Sequence, residues 1–270
     1  MRGLVLVAAL LAPLAAAAPA AGHSVMKVES GTIYYNATDD VALNQLDVSV
    51  RGSNIRFYDP GADNGITPPS ECTPGQLDSG GNPVEVFCPS SGMTRVRIDV
   101  GEGQDNASIA IPITALVVGG NGADRITTST GDDTVNGGEG NDDIRTGDGA
   151  DEVVGGGGDD TLVSGEGNDV VQGGLGADTI DAGNGDDELR VRDGAVDSAG
   201  CGAGADRAQV EDADRLSDCE TVDRAATVGG GGGGDPQDPG APPAGTPGGG
   251  PAAPDTTAPR LRAGGSTRQR

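Results

Sequence analysis

From Gly119 to Arg190 the chain repeats itself every nine residues, and a unit that short cannot fold by itself. The eight units read GGNGADRIT, TSTGDDTVN, GGEGNDDIR, TGDGADEVV, GGGGDDTLV, SGEGNDVVQ, GGLGADTID and AGNGDDELR. Position four is always glycine: Gly122, Gly131, Gly140, Gly149, Gly158, Gly167, Gly176 and Gly185. Position six is always aspartate: Asp124, Asp133, Asp142, Asp151, Asp160, Asp169, Asp178 and Asp187. Position eight is always apolar: Ile126, Val135, Ile144, Val153, Leu162, Val171, Ile180 and Leu189. Position two is glycine except at Ser129. One apolar side chain per unit gives no core to a single unit, whereas stacked units share a continuous one.

The constant positions have separate physical reasons. Glycine permits left-handed backbone that a side chain would strain, so a glycine-rich turn can aim several carbonyl oxygens at one point. Aspartate adds a carboxylate to that point. A cup of six to eight oxygens suits a hard cation, and calcium tolerates irregular geometry better than magnesium. The last three residues of each unit read as a short strand with position eight pointing inward and its polar neighbours outward.

Position one carries a second period: Gly119, Thr128, Gly137, Thr146, Gly155, Ser164, Gly173, Ala182. Glycine alternates with a small residue, so the structural repeat is expected to be 18 residues, two units per turn. Asp124, Asp142, Asp160 and Asp178 would then stack on one edge, and Asp133, Asp151, Asp169 and Asp187 on the other. By ligand geometry that gives about six ion sites between turns. Residues 119–190 hold 18 acidic residues and three arginines. About six divalent ions would nearly neutralise them; without ions the carboxylates repel, and the block is expected to be disordered.

The block resembles the calcium-binding nonapeptide repeats of the repeats-in-toxin (RTX, haemolysin-type) family. The resemblance implies a parallel β-roll with calcium held between adjacent turns. It assigns as ligands the eight position-six aspartates and turn carbonyls such as those of Gly120, Gly122, Gly138, Gly140, Gly156 and Gly158. Proteins of that family are typically exported by a C-terminal signal, and no toxin or enzyme domain is evident here, so lytic activity is not implied.

Composition removes other functions. The single histidine is His23 and the single lysine Lys27, which excludes a histidine general base and a Gly-x-x-x-x-Gly-Lys phosphate loop. A net charge of −25 argues against nucleic acid as a partner. Arg2, the apolar stretch Leu4–Leu14 and the small residues after it form a secretory signal, expected to span 1–20. The apolar run falls short of the ~20 residues that cross a bilayer. Export and oxidising conditions are therefore expected, with no transmembrane span in the mature chain. Cys72, Cys88, Cys201 and Cys219 allow three connectivities, of which pairing of sequence neighbours is the simplest.

The remaining segments frame the repeats. Residues 24–118 alternate as β-strands do (Leu46, Val48, Val50; Val96, Ile98, Val100; Ile109, Ile111, Ile113) and hold all five aromatic residues, as a β-rich cap would. Val100–Asp105 is a degenerate unit that leaves Asp105 open as a ligand. Residues 191–227 read as a capping segment with a looser acidic pattern (Asp193, Asp197, Asp206, Asp212, Asp214, Asp218, Glu220), read first as solvating the cap, with further calcium as the alternative. Residues 228–270 form a Gly/Pro-rich tail expected to be disordered. The fold class is thus all-β: a parallel β-roll or β-solenoid with an N-terminal β-rich cap and a disordered tail. The function expected is that of a secreted calcium-binding protein, not an enzyme, with a cell-envelope or matrix component as the open class of partner. An extracellular enzyme acting on polysaccharide and an adhesin using the roll as a spacer are the alternatives.

Overall fold

The computed structural model describes residues 24–37, 44–60 and 65–225; the expected signal peptide and tail lie outside them. Every regular element among these residues is a β-strand, and the strands form two eleven-stranded sheets. No helix of the described residues is long and apolar enough to cross a membrane.

Each nine-residue unit supplies one strand, and successive units alternate between the sheets. Thr134–Glu139, Glu152–Gly157 and Val170–Leu175 lie side by side in one, Asp143–Asp148, Thr161–Glu166 and Thr179–Asn184 in the other. All these pairings are parallel. Val135 sits opposite Val153, Val153 opposite Val171 and Val171 opposite Leu189. In the second sheet the sequence runs Ile126, Ile144, Leu162, Ile180. The position-eight side chains therefore form one column on each sheet, and none of the eight is more than 3% exposed. The fold is a parallel β-solenoid with an 18-residue turn.

The columns extend beyond the regular repeats. Ile98, Val117 and Val135 continue one, and Ala107 leads into Ile126 in the other. At the far end Ala208 follows Leu189 and Ala199 follows Ile180. Apart from Val117 to Val135, these steps span 19 residues rather than 18. The strands keep their register and the loops absorb the extra residue.

Residues 24–89 close the roll with antiparallel strands. Ser24–Glu29 pairs with Thr32–Asn36, Gln45–Arg51 with Asn54–Tyr58, and Asn54–Tyr58 with Glu85–Pro89. Thr32–Asn36 and Gln45–Arg51 then pair in parallel with Arg95–Asp99 and Asn106–Ala110, handing the two sheets to the solenoid. Large side chains fill this wider end. The buried Tyr35 and Phe57 rings stack at 6.4 Å between centroids, and Tyr35 Oη donates to Asp59 Oδ2 at 2.5 Å. The alternation fails at two expected places: Val50, near the end of its strand, is 44% exposed, and Ile111 and Ile113 fall between the strands Asn106–Ala110 and Thr114–Asn121, Ile113 only partly buried.

The cysteines pair as sequence neighbours, Cys72 with Cys88 and Cys201 with Cys219. The first anchors a loop to the strand Glu85–Pro89, and the second ties together the last turns. Each closes a loop worth about 3 kcal/mol by chain entropy.

One column per sheet leaves no spare packing. Leu162 is fully buried, so Leu162→Ala is expected to cost about 2–5 kcal/mol in urea unfolding followed by circular dichroism. The same change at Leu175, half exposed, is expected to cost within about 0.5 kcal/mol.

Candidate metal centre

At both edges of the roll the chain turns sharply between strands, and there the main-chain N–H of position six meets a carboxylate instead of a carbonyl. Asp124 N donates to Asp142 Oδ1 (2.8 Å), Asp142 N to Asp160 Oδ1 (2.8 Å), and Asp160 N to Asp178 Oδ1 (2.9 Å). On the opposite edge Asp133 N donates to Asp151 Oδ1, Asp151 N to Asp169 Oδ1, and Asp169 N to Asp187 Oδ1, at 2.8–2.9 Å. The eight position-six aspartates thus form two ladders that bridge successive turns. All eight are at most 3% exposed.

The ladders run further than the repeats. Asp105 N donates to Asp124 Oδ1, and Asn44 N to Asp105 Oδ1, both at 2.7 Å, so Asp105 is the first rung of one edge. Asp197 and Asp214 continue that edge, Asp206 and Glu220 the other. Asp197 and Asp206 are 1% exposed, so they do not solvate the C-terminal segment as the sequence suggested. Inserted residues between rungs hid them from a strict nine-residue count.

A further ladder had no sequence expectation. Position-five side chains accept from the position-five N–H of the next turn: Asn141 Oδ1 from Asp159 N, Asp159 Oδ1 from Ala177 N, Asn168 Oδ1 from Asp186 N. The signal was the recurrence of Asp and Asn at that position, since these short side chains readily bond nearby main chain.

Only one oxygen of each position-six carboxylate is used by its ladder. The Oδ2 atoms of Asp124, Asp142, Asp151, Asp160, Asp169, Asp178, Asp187, Asp197 and Asp206 are buried with no hydrogen-bond partner among the described residues. Burial of such a group disfavours its charged form. It raises Asp142, Asp160 and Asp197 to about 7, and Asp151, Asp178 and Asp187 to about 6. The N–H bond to Oδ1 opposes the rise in each case, and neighbouring aspartates add to it. Asp124, Asp133 and Asp169 are raised by the same burial.

The glycines supply the other side of the cup. A Cβ on Gly137 would lie 2.2 Å from Asp142 Oδ2 and 2.6 Å from Gly155 O. On Gly155 it would lie 2.3 Å from Asp160 Oδ2 and 2.4 Å from Gly173 O. Two oxygens from adjacent turns therefore face one space that the absent side chain leaves open. The six carbonyls expected from Gly120, Gly122, Gly138, Gly140, Gly156 and Gly158 also point along the stack. Each would lie 1.9–2.3 Å from a Cβ on the equivalent glycine of the next turn. That approach, with positive φ such as 121° at Gly140, is why the position admits no side chain. No three His, Cys, Asp or Glu side chains converge among the described residues. A cation here would be held by an aspartate Oδ2 and by main-chain oxygens. That donor set, hard and largely neutral, fits calcium.

Residues 118–153 and 154–189 match the family model of the RTX calcium-binding nonapeptide repeat, in two blocks of four copies. The chain carries RTX calcium-binding repeats over that stretch, folded as a β-roll. Comparison with curated proteins and with solved structures finds no match.

The raised carboxyls fix the sign of the pH dependence without metal. Their protonated form is favoured by the fold, so this contribution to stability is full below the ordinary aspartate value of 3.8 and is lost as pH rises through about 6 to 7. The metal-depleted chain is expected to gain strand signal in circular dichroism when titrated from pH 8 down to about 4. Strand content that only falls on acidification would contradict this.

Proposed function

We propose that this chain is a secreted calcium-binding protein whose β-roll folds on the ion, serving a structural or surface-associated role and not a catalytic one. One observation carries the reading: two continuous ladders of buried aspartates, each with an oxygen that the protein itself does not satisfy. The chain's residues divide the work. A main-chain N–H holds each Oδ1, which fixes the carboxylate plane and turns Oδ2 toward the gap between turns. Glycine carbonyls from the flanking turns complete the oxygen set. In each gap that holds an ion, calcium would supply the positive charge that lets the adjoining buried carboxylate remain ionised at neutral pH.

Binding and folding are then one process, because the ligands of each site come from different turns and exist together only in the stacked state. The RTX match supports calcium as the ion. Two disulfides and a signal-like N-terminus support export into an oxidising medium that contains it. The position-six aspartates already serve the ladder, which leaves them poor candidates for acid–base catalysis.

Circular dichroism of the full chain tests the reading directly: strand signal is expected to rise with added calcium at pH 7.5 and to vanish with chelator. Identical spectra in both conditions would refute it. Asp160→Asn keeps the Oδ1 acceptor and removes the charge. It is expected to weaken calcium binding at least about tenfold by calorimetry, and more than Asp105→Asn at the entrance of the roll.

A further inference from the structure

The two edges of the roll are built alike at positions two, four and six but differently at position one. On the edge of Asp124, Asp142, Asp160 and Asp178, position one is glycine, and the space described above stands open between carboxylate and carbonyl. On the edge of Asp133, Asp151, Asp169 and Asp187, the same place is filled by Thr128, Thr146, Ser164 and Ala182, all at most 5% exposed.

The hydroxyls there form a ladder of their own. Thr128 Oγ1 donates to Thr146 O (2.8 Å), Thr146 Oγ1 to Ser164 O (3.1 Å), and Ser164 Oγ to Ala182 O (2.8 Å). These are the carbonyls equivalent to Gly137 O, Gly155 O and Gly173 O, which face the open space on the other edge. Each hydroxyl has one proton and gives it to a carbonyl, so Oδ2 of Asp151, Asp169 and Asp187 stays buried without a hydrogen-bond partner, as on the glycine edge. Positions two and four do not account for the contrast. A Cβ on Gly165 or Gly167 would meet the carbonyl of the preceding turn at 2.1 or 1.6 Å, as on the glycine edge.

We propose that calcium occupies only the glycine edge, and that the Thr/Ser edge is a metal-free seam closed by its hydroxyl ladder. The residue at position one is thus the determinant of which gaps take an ion. A threonine hydroxyl occupies the lone pair of the carbonyl that a cation would use, and its carbon atoms fill the cup. This rests on calcium binding as proposed above, and it halves the ion count: about three gaps between the repeat turns rather than about six.

Calorimetric calcium titration of the chelator-treated full chain, beside paired variants, tests it. Asp142→Asn with Asp160→Asn is expected to remove about two ions, while Asp151→Asn with Asp169→Asn leaves the number unchanged. Thr146→Gly with Ser164→Gly is expected to open the seam and add about two. Equal losses from the two asparagine pairs would overturn the proposal. Absence of any bound calcium in the unmodified chain would instead overturn the function on which it rests. Anomalous scattering from crystals of the unmodified chain grown with terbium locates the ions without a variant. Ions along the glycine edge alone are expected, and ions on both edges would overturn the proposal.

Discussion

The second oxygen of each ladder aspartate is the constraint on which the rest of this fold depends. A carboxylate that accepts one main-chain N–H has spent half of its capacity, and at 2% exposure water cannot supply the rest for Asp142 or Asp160. The fold offers two ways out. Protonation removes the charge, which is why burial holds these groups near neutral pH in the absence of metal. A cation neutralises the charge in place and satisfies the lone pairs. On the proposed function, the second is the one available to the glycine-edge carboxylates above pH 7.

The remaining architecture serves that arrangement. The apolar columns are one side chain wide, and their residues are Val, Ile and Leu of similar size, so each turn repeats the register of the one before it. That repetition keeps the rungs aligned, since each carboxylate must reach the N–H of the turn before it. The outer faces contribute little. Arg125 and Arg145 both pair with Asp143, but the arginines are largely exposed, and such pairs are weak in water. Where the core widens to hold Tyr35 and Phe57, the chain abandons the nine-residue unit and closes the sheets with hairpins. An open solenoid end needs such a cover.

The repeat block was legible from sequence because each of its constraints falls on a fixed position. Glycine at position four, aspartate at six and an aliphatic residue at eight each answer a local demand that no other residue type meets. The alternation at position one even revealed the 18-residue turn. What that alternation does was not legible: Gly137 and Thr146 both read as small residues, and only the bond from Thr146 Oγ1 to Ser164 O distinguishes their roles. The flanks were harder for a different reason. Asp105, Asp197 and Asp206 meet the same demand as Asp160, but an extra loop residue displaces each from the count. Loops absorb insertions at little cost, whereas the strand register they connect does not move. Periodicity in sequence therefore ends before periodicity in structure. The strand Gln45–Arg51 failed in the opposite direction, since its alternation continues to Val50, which is 44% exposed.

The ladders also set how such a chain must respond to its ion. Each position-six carboxylate belongs to two turns, holding the N–H of the preceding turn through Oδ1 while Oδ2 faces the gap. Position-five side chains bind in the reverse direction, from each turn to the one after it. Neighbouring turns are therefore clamped from both sides by groups that orient only when both turns are in place. In a solenoid each turn meets only its neighbours, so coupling of this kind is the means by which an event at one gap reaches the next. On the proposed function, an ion in one gap would order two turns. Each of those turns would present a preformed half of the adjoining site, so the next ion would meet less ordering entropy than the first. Cooperative folding along the roll would then follow from the shared turns alone, without any contact between distant ones.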